Sequence, residues 1–356
     1  MMGKLKKLTG YRLFLPLSCL IIVLLINLIT TPTFFRITIN NGVLYGYIID
    51  VINRASELVV LAVGMTLVVS ASAGTDISVG AVMAVAAAVC TRVLAGGEVS
   101  VNEYANPYVL AVLAALAAAV VCGGFNGLLV AKLKIQPMVA TLILFTAGRG
   151  ISQLVTNGQI TYIRVDGYKL LGNNIPGIPI PTPIFVAVIV VALTYILLKK
   201  TAMGMYIQSV GINERASRLV GLKSVKIIWM AYAFCGLCAG IAGLVASSRI
   251  YSADANNIGL NMELDAIAAV ALGGNSLGGG RFSLLGSVIG AYTIQALTTT
   301  LYAMSVPADQ IPVYKAIVVI LIVAVQSEEL KKFRKRLASR HSSKNVEGGV
   351  ALSLIH

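Results

Sequence analysis

Charge is scarce in this sequence. Charged residues fill only 12% of its 356 positions, where a soluble domain carries about 25%. That shortfall excludes an ordinary water-soluble fold. Histidine is nearly missing, and both copies, His341 and His356, stand near the C-terminus where they build no site. The phosphate-binding pattern Gly-x-x-x-x-Gly-Lys-Ser/Thr is absent, because the Gly-rich stretch 273–280 has no lysine after it. Metal-ligand clusters and nucleophile motifs are missing too, so the chain is expected to be non-catalytic, with no cofactor and no metal of its own. The five cysteines, Cys19, Cys90, Cys122, Cys235 and Cys238, all fall in apolar runs. Cys235-x-x-Cys238 has redox or metal spacing but lies mid-helix with no histidine near it, so it reads as packing.

What is present is apolar. Hydrophobic residues make up 57% of the chain and the mean hydropathy is +0.86. These values describe a polytopic membrane protein. Gly and Ala are abundant while aromatics are few, which suits closely packed membrane helices. A net charge of +14 would point to nucleic acid in a soluble protein. Here it reports topology, because basic residues collect in cytoplasmic loops.

A spanning helix takes about 20 mostly apolar residues. Ten segments qualify as candidates: 13–31, 54–73, 76–96, 108–131, 137–156, 183–198, 227–247, 262–274, 284–304 and 312–326. The expected architecture is therefore all-α. The eighth segment is short and runs into the Gly-rich stretch, as a broken or re-entrant helix would. With the N-terminus inside, 20 of the 28 Lys and Arg residues fall on the cytoplasmic side. Both termini and the loop 199–226 are then cytoplasmic. The expected organisation is a cytoplasmic N-terminus (1–12), a membrane domain (13–327) and a basic cytoplasmic tail (328–356). The first apolar run is read as an uncleaved span rather than a signal peptide. The outer loop 157–182, rich in Gly, Pro and Asn, is read as structured turns.

An internal echo joins the two halves. Gly74-Thr75-Asp76-Ile77-Ser78-Val79-Gly80 lies between spans two and three. Gly273-Gly274-Asn275-Ser276-Leu277-Gly278-Gly279 lies between eight and nine. Spans 2–5 and 7–10 form a pseudo-repeat, as in many transporters.

Polar residues inside apolar segments are candidates for function. Asp76 reads either as an N-cap of span three or as a substrate contact. Arg149 reads as a tie to carbonyls or a carboxylate, or as a pathway residue. Glu263 and Asp265 read as caps of span eight. In the loop, 211–221 has the logic of a small helix. Asn213 caps it, Glu214 pairs with Arg218 four residues on, Ala216, Leu219 and Val220 make an apolar patch, and Gly221 ends it. Docking of a partner and a solvated loop both fit that pattern.

These segments resemble a known family. Gly64-Met65-Thr66-Leu67-Val68-Val69, Gly74 to Met83, Asn126-Gly127-Leu128-Leu129-Val130, Ile135 to Leu142, Gly148-Arg149-Gly150, Leu272 to Arg281 and the loop 211–221 resemble the ribose-type sugar permeases of bacterial ATP-driven importers. The likeness runs over residues 50–327. Asp50 to Ala55, Lys134 to Pro137, Ala147 to Gly150, Ala253 to Asn257 and Glu263 to Ile267 are most similar to the galactofuranose permeases within that family. One departure is Ala73-Gly74-Thr75-Asp76, where the family usually has Gly-Gly-Ile-Asp.

The resemblance implies a type II importer fold, in a homodimer or with a similar permease, in the lipid of a bacterial inner membrane. It implies a cytoplasmic ATPase, which binds ATP and Mg, docked on a coupling helix formed by Gly211, Asn213, Glu214, Arg215, Ala216, Arg218, Leu219 and Gly221. A sugar-binding protein delivers cargo from outside, and nucleic acid has no part. Asp76, Ser78, Asn126, Thr141, Arg149 and Gln153 are the candidate pathway residues. A different class, an ion-coupled transporter using Asp76 or Asp265 without any ATPase, stands as the alternative. A membrane-embedded enzyme is a remote third.

Overall fold

The computed structural model describes residues 13–40 and 42–326. The basic N-terminus, the C-terminal tail and both histidines lie outside the described residues. The chain divides into two units, Met1–Val306 and Pro307–His356. Among its described residues the second contributes one helix, Ile311–Gln326, called α12.

In the first unit the helices follow the apolar pattern. They are α1 (Phe14–Thr30), α2 (Tyr47–Ser72), α3 (Val79–Ala95), α4 (Tyr108–Ala131), α5 (Pro137–Val155), α6 (Thr182–Lys200), α7 (Met203–Ile212), α8 (Glu214–Leu219), α9 (Ser224–Ile250), α10 (Met262–Leu272) and α11 (Leu284–Ala303). Each predicted segment carries a helix. Six of them (α2, α4, α5, α6, α9 and α11) are long and apolar enough to cross a membrane. At 11 residues, α10 rises only about 16 Å, half of a bilayer core. Several helices differ from the expected bounds. α3 begins at Val79 rather than 76, α2 begins at Tyr47 rather than 54, and α9 runs from Ser224 to Ile250, where polar Asn53 and Arg249 continue the helices past the apolar windows and meet Glu57. They are satisfied there. Arg249 donates to the Asn53 carbonyl and makes a 2.9 Å ion pair with Glu57.

α2 is buried on nearly every side and forms the axis of the unit, with α9, α11 and α6 around it. α4, α5 and α6 are mostly exposed and apolar, as helices facing lipid are. Small residues set the approach of the inner helices, because lipid gives no hydrophobic drive and close packing must. Gly123 of α4 and Gly236 of α9 meet face to face. A Cβ on either would come within 2.9 Å of the other's Cα. Cys235 and Cys238 are buried free thiols packed on Gly64 of α2. α1 is tied to α11 by the Asn27 amide, which donates to the Thr300 hydroxyl at 2.7 Å.

The outer loop 157–182, expected to form turns, contributes one strand, Thr161–Ile163, and further short strands lie in other loops. β1 (Thr38–Asn40) and β2 (Val43–Tyr45) form a hairpin. β3 (Ser100–Val101), β4 (Thr161–Ile163) and β5 (Ser252–Ala253) form a three-stranded sheet, with β3 parallel and β5 antiparallel to β4. This sheet ties three loops into one cap. The segment 199–226, read as a loop with one short helix, holds two, α7 and α8.

Candidate functional site

Two constellations stand out, one in the loop after α6 and one at the break between α2 and α3.

In the loop, Asn213 is the N-cap of α8, and its side-chain oxygen accepts the Ala216 N–H at 3.0 Å. Gly221 follows the helix with φ +85°, the left-handed region glycine adopts without cost. Glu214 is the hub. It takes Lys134 from the α4–α5 turn at 2.5 Å, Arg218 at 2.5 Å and the Ser224 hydroxyl of α9 at 3.1 Å. Arg218 also donates to the Ser224 hydroxyl at 2.7 Å. The six-residue helix is therefore locked to two neighbours. Its outer face is bare: Arg215 and Ala216 are exposed, Leu219 is 89% exposed and Val220 is 77% exposed. Arg218, though exposed, is engaged by Glu214 and Ser224, whereas Arg215 makes no ion pair among the described residues.

Gly211 has a separate task. It sits in the last turn of α7, against the Ser70 carbonyl of α2 and the Gly280 amide, which donates to that same carbonyl at 2.9 Å. A side chain there would strike backbone on both sides.

Burial works against the Glu214 charge, but Lys134, with Arg218 and Ser224, outweighs it and holds the carboxyl below the usual glutamate range. A depressed carboxylate stabilises the state in which it is ionised. The lock is then complete above the ordinary glutamate value of 4.5 and fades as pH falls below it. A spin label at Ala216→Cys is expected to be immobile near neutrality and to gain mobility on acidification through that range. In a Glu214→Gln variant it is expected to be mobile throughout.

At the second constellation the nominated residues converge. α3 begins at Val79, so Asp76 is not its first-turn cap. It stands three residues earlier and bridges the break. Its Oδ1 accepts the Ser78 N–H at 2.9 Å, the Ser78 hydroxyl at 2.7 Å and the Asn126 amide of α4 at 3.4 Å. Asn126 also donates to the Ser78 hydroxyl at 2.8 Å. The Thr141 hydroxyl of α5 accepts the Ile77 N–H at 3.2 Å. Asp76 is 1% exposed, and Ser78, Asn126 and Thr141 are fully buried. Four candidate pathway residues thus form one closed knot joining α3, α4 and α5.

The other two stand apart on α5 and face the segment 254–258. Arg149 donates to the carbonyls of Ala255 (2.9 Å) and Ile258 (2.5 Å), and Gln153 donates to Asn256 at 2.6 Å. Glu263 is buried in the first turn of α10. Among the described residues no His, Cys, Asp and Glu side chains group so as to hold a metal ion.

The second Gly-rich break repeats the device. Asn275 accepts the Ser283 N–H at 2.5 Å and donates to the Ser287 hydroxyl at 2.7 Å, which takes Thr66 of α2 at 2.6 Å. In each break one Asp or Asn side chain accepts a backbone N–H at the entry of the next helix. Ser287 and Ser70 were not singled out from sequence, and Thr66, Gly211 and Gly280 were read only as parts of motifs, not as partners in these contacts. Lone hydroxyls and glycines in apolar runs carry no signal without their partners.

One run of contacts links the two constellations. Lys134, left-handed at φ +58°, holds Glu214. Three residues on, the Pro137 ring opens α5 and packs on Gly74, and one turn later Thr141 holds the 76–78 break.

Comparisons with known proteins identify the family. The model of a family described as branched-chain amino acid transport system / permease component matches residues 47–326. The galactofuranose transporter permease of Escherichia coli K12 is 44% identical over 91% of this chain and 92% of its own. A fructose import permease of Bifidobacterium longum is 37% identical over 97% of this chain and 96% of its own. The ribose import permease of E. coli K12 is 35% identical over 88% of this chain and 93% of its own. No solved structure matches the chain.

Proposed function

The chain belongs to the family of membrane permease components described as branched-chain amino acid transport systems, and from that premise we propose that it is the transmembrane subunit of an ATP-driven, binding-protein-dependent sugar importer. The cargo is a monosaccharide of the galactofuranose or ribose type, in keeping with the cargo named for its relatives. The chain itself catalyses nothing. ATP and Mg are bound by a cytoplasmic ATPase subunit, and a second permease completes the pore. The protein lies in a bacterial inner membrane with both termini inside, flanking the membrane domain 13–327.

The observation that carries this reading is the locked, bare-faced helix α8. A helix of six residues is unstable by itself. Here it is clamped to α4–α5 and α9 while it presents Leu219 and Val220 outward, so a partner that grips those side chains moves the clamp. Gly211, Asn213, Glu214, Arg215, Ala216, Arg218, Leu219 and Gly221 divide the work: Arg215, Ala216 and Leu219 touch the ATPase, and the others hold the lever. Closure of the ATPase dimer displaces α8, and the displacement reaches the 74–78 break through Lys134, Pro137 and Thr141. The bundle then exchanges inward and outward states. A neutral sugar needs hydroxyl-matching groups rather than a charge trap. Asp76, Ser78, Asn126 and Thr141 hold the pathway helices in register, while Arg149 and Gln153 stand nearer its wall.

Reconstituted transport tests this. Sugar uptake into proteoliposomes is expected only when the ATPase, its ATP and the binding protein are all supplied. Uptake by the chain alone down a proton or sodium gradient would establish the ion-coupled alternative instead.

A further inference from the structure

We propose that the cleft between the ends of α4 and α9 binds the headgroup of an anionic phospholipid. The cleft encloses about 340 Å³ beside the coupling loop. Its floor is apolar, made by Gly127 and Leu128 of α4. Its wall is Trp229 of α9, 40% exposed, whose own backbone packs on Gly127. Three lysines stand round it: Lys132 just after α4, Lys223 at the N-cap of α9, and Lys226 one turn into α9.

All three lysines are exposed, and none is in an ion pair among the described residues. The nearby acid of the loop, Glu214, is already taken by Lys134 and Arg218. Three uncompensated ammonium groups around an apolar floor, at the end of two long apolar helices, complement a phosphodiester with a hydrocarbon tail. Each lysine near a charged bilayer surface adds attraction. Tryptophan is the residue that settles at that depth, with its ring in the interface. Gly127 matters because its missing side chain lets the α9 backbone at Trp229 close on α4, which sets the ring beside the cleft. The occupant's leaflet, the cytoplasmic one, rests on the orientation proposed above. The position is consequential: Lys223 lies two residues beyond Gly221, so a bound lipid pins the hinge where the lever joins α9.

Trp229 is the one tryptophan of the sequence, so its emission reports this place alone. The full chain is reconstituted in phosphatidylcholine vesicles containing dibrominated phosphatidylglycerol or, in a matched set, dibrominated phosphatidylcholine. The anionic lipid is expected to associate at Trp229 about tenfold more strongly, with the preference shrinking as salt is added. A Lys132→Gln/Lys226→Gln variant should lose most of that preference.

Equal quenching by the two lipids in the unmodified chain would overturn the proposal, and needs no variant to fold. So would displacement of the brominated lipid by millimolar inorganic phosphate, which would make the site one for a soluble anion. Loss of anionic quenching when the ATPase is bound would assign the lysines to an acidic protein face and overturn it as well. Orientation is read separately, by impermeant labelling of Ala216→Cys. A reversed chain would fail that labelling pattern yet still show lipid selectivity, so the two readings fail independently.

Discussion

A Leu219→Asp/Val220→Asp double variant is expected to lose the ATPase subunit on purification while inserting and unfolding like the unmodified chain. The two side chains are 89% and 77% exposed, so the free permease gains nothing from them. In a complex, burying each is worth about 1.5–3 kcal/mol, and an aspartate in their place would carry an unpaired charge into the contact. Association should fall by more than about 100-fold, since 1.4 kcal/mol is a factor of ten. Pull-down of the ATPase, with thermal unfolding of the permease alone as control, measures both halves. Arg215→Glu should act in the same direction through an exposed charge. Arg218→Glu is the contrasting case. It breaks the Glu214–Ser224 clamp from inside, so it should loosen the loop before any partner is added. Normal co-purification of the double variant would remove α8 from the docking role.

The second large effect is expected at Asp76. Asp76→Ala removes the acceptor of three donors, the Ser78 N–H, the Ser78 hydroxyl and the Asn126 amide, at a site 1% exposed to solvent. Each buried group left unsatisfied costs about 1–3 kcal/mol, and partial relief between Ser78 and Asn126 leaves roughly 3 kcal/mol in all. The variant should unfold at markedly lower temperature in detergent and transport poorly. Asp76→Asn keeps an oxygen in the same place and should recover most of the stability and much of the uptake. The pair separates two roles. If Asn restores folding but abolishes uptake, the carboxylate's charge is used in transport, and the ion-coupled alternative gains its site. If Asn restores both, Asp76 works as a fixed acceptor that shapes the break.

Ala73 shows how a local departure becomes physical. It is the C-cap of α2 and lies in the left-handed region at φ +52°, where a Cβ is disfavoured by roughly 1–2 kcal/mol. The glycine usual in the resembling family would sit there without strain. The sequence showed the substitution; only the dihedral angle shows what it costs.

Much of the fold was legible because membrane helices announce themselves by length and apolarity. The ten apolar segments each contain a helix, and six meet the requirements for spanning. Boundaries slipped where a polar residue was satisfied within the helix, as with Arg249 on Glu57 and Asn53. α7 was missed because Met203–Ile212 is short and lies between basic segments, where an apolar window finds nothing. The cap, pair and stop of α8 were legible because Asn213, Glu214, Arg218 and Gly221 act over four residues or fewer, a range the chain itself specifies.

What the sequence by itself determined was the solvent, the class and one local helix: too little charge for water, helices for lipid, and a capped basic turn between them. Tertiary structure alone decided that Asp76, Ser78, Asn126 and Thr141 form one knot, that Arg218 is held by Glu214 and Ser224 while Leu219 stands bare, and that three lysines share a cleft with Trp229. The reason is range. Periodicity and capping act between residues close along the chain, whereas a hydrogen bond such as Asn126 to Ser78 joins positions 48 apart and exists only once two helices have packed.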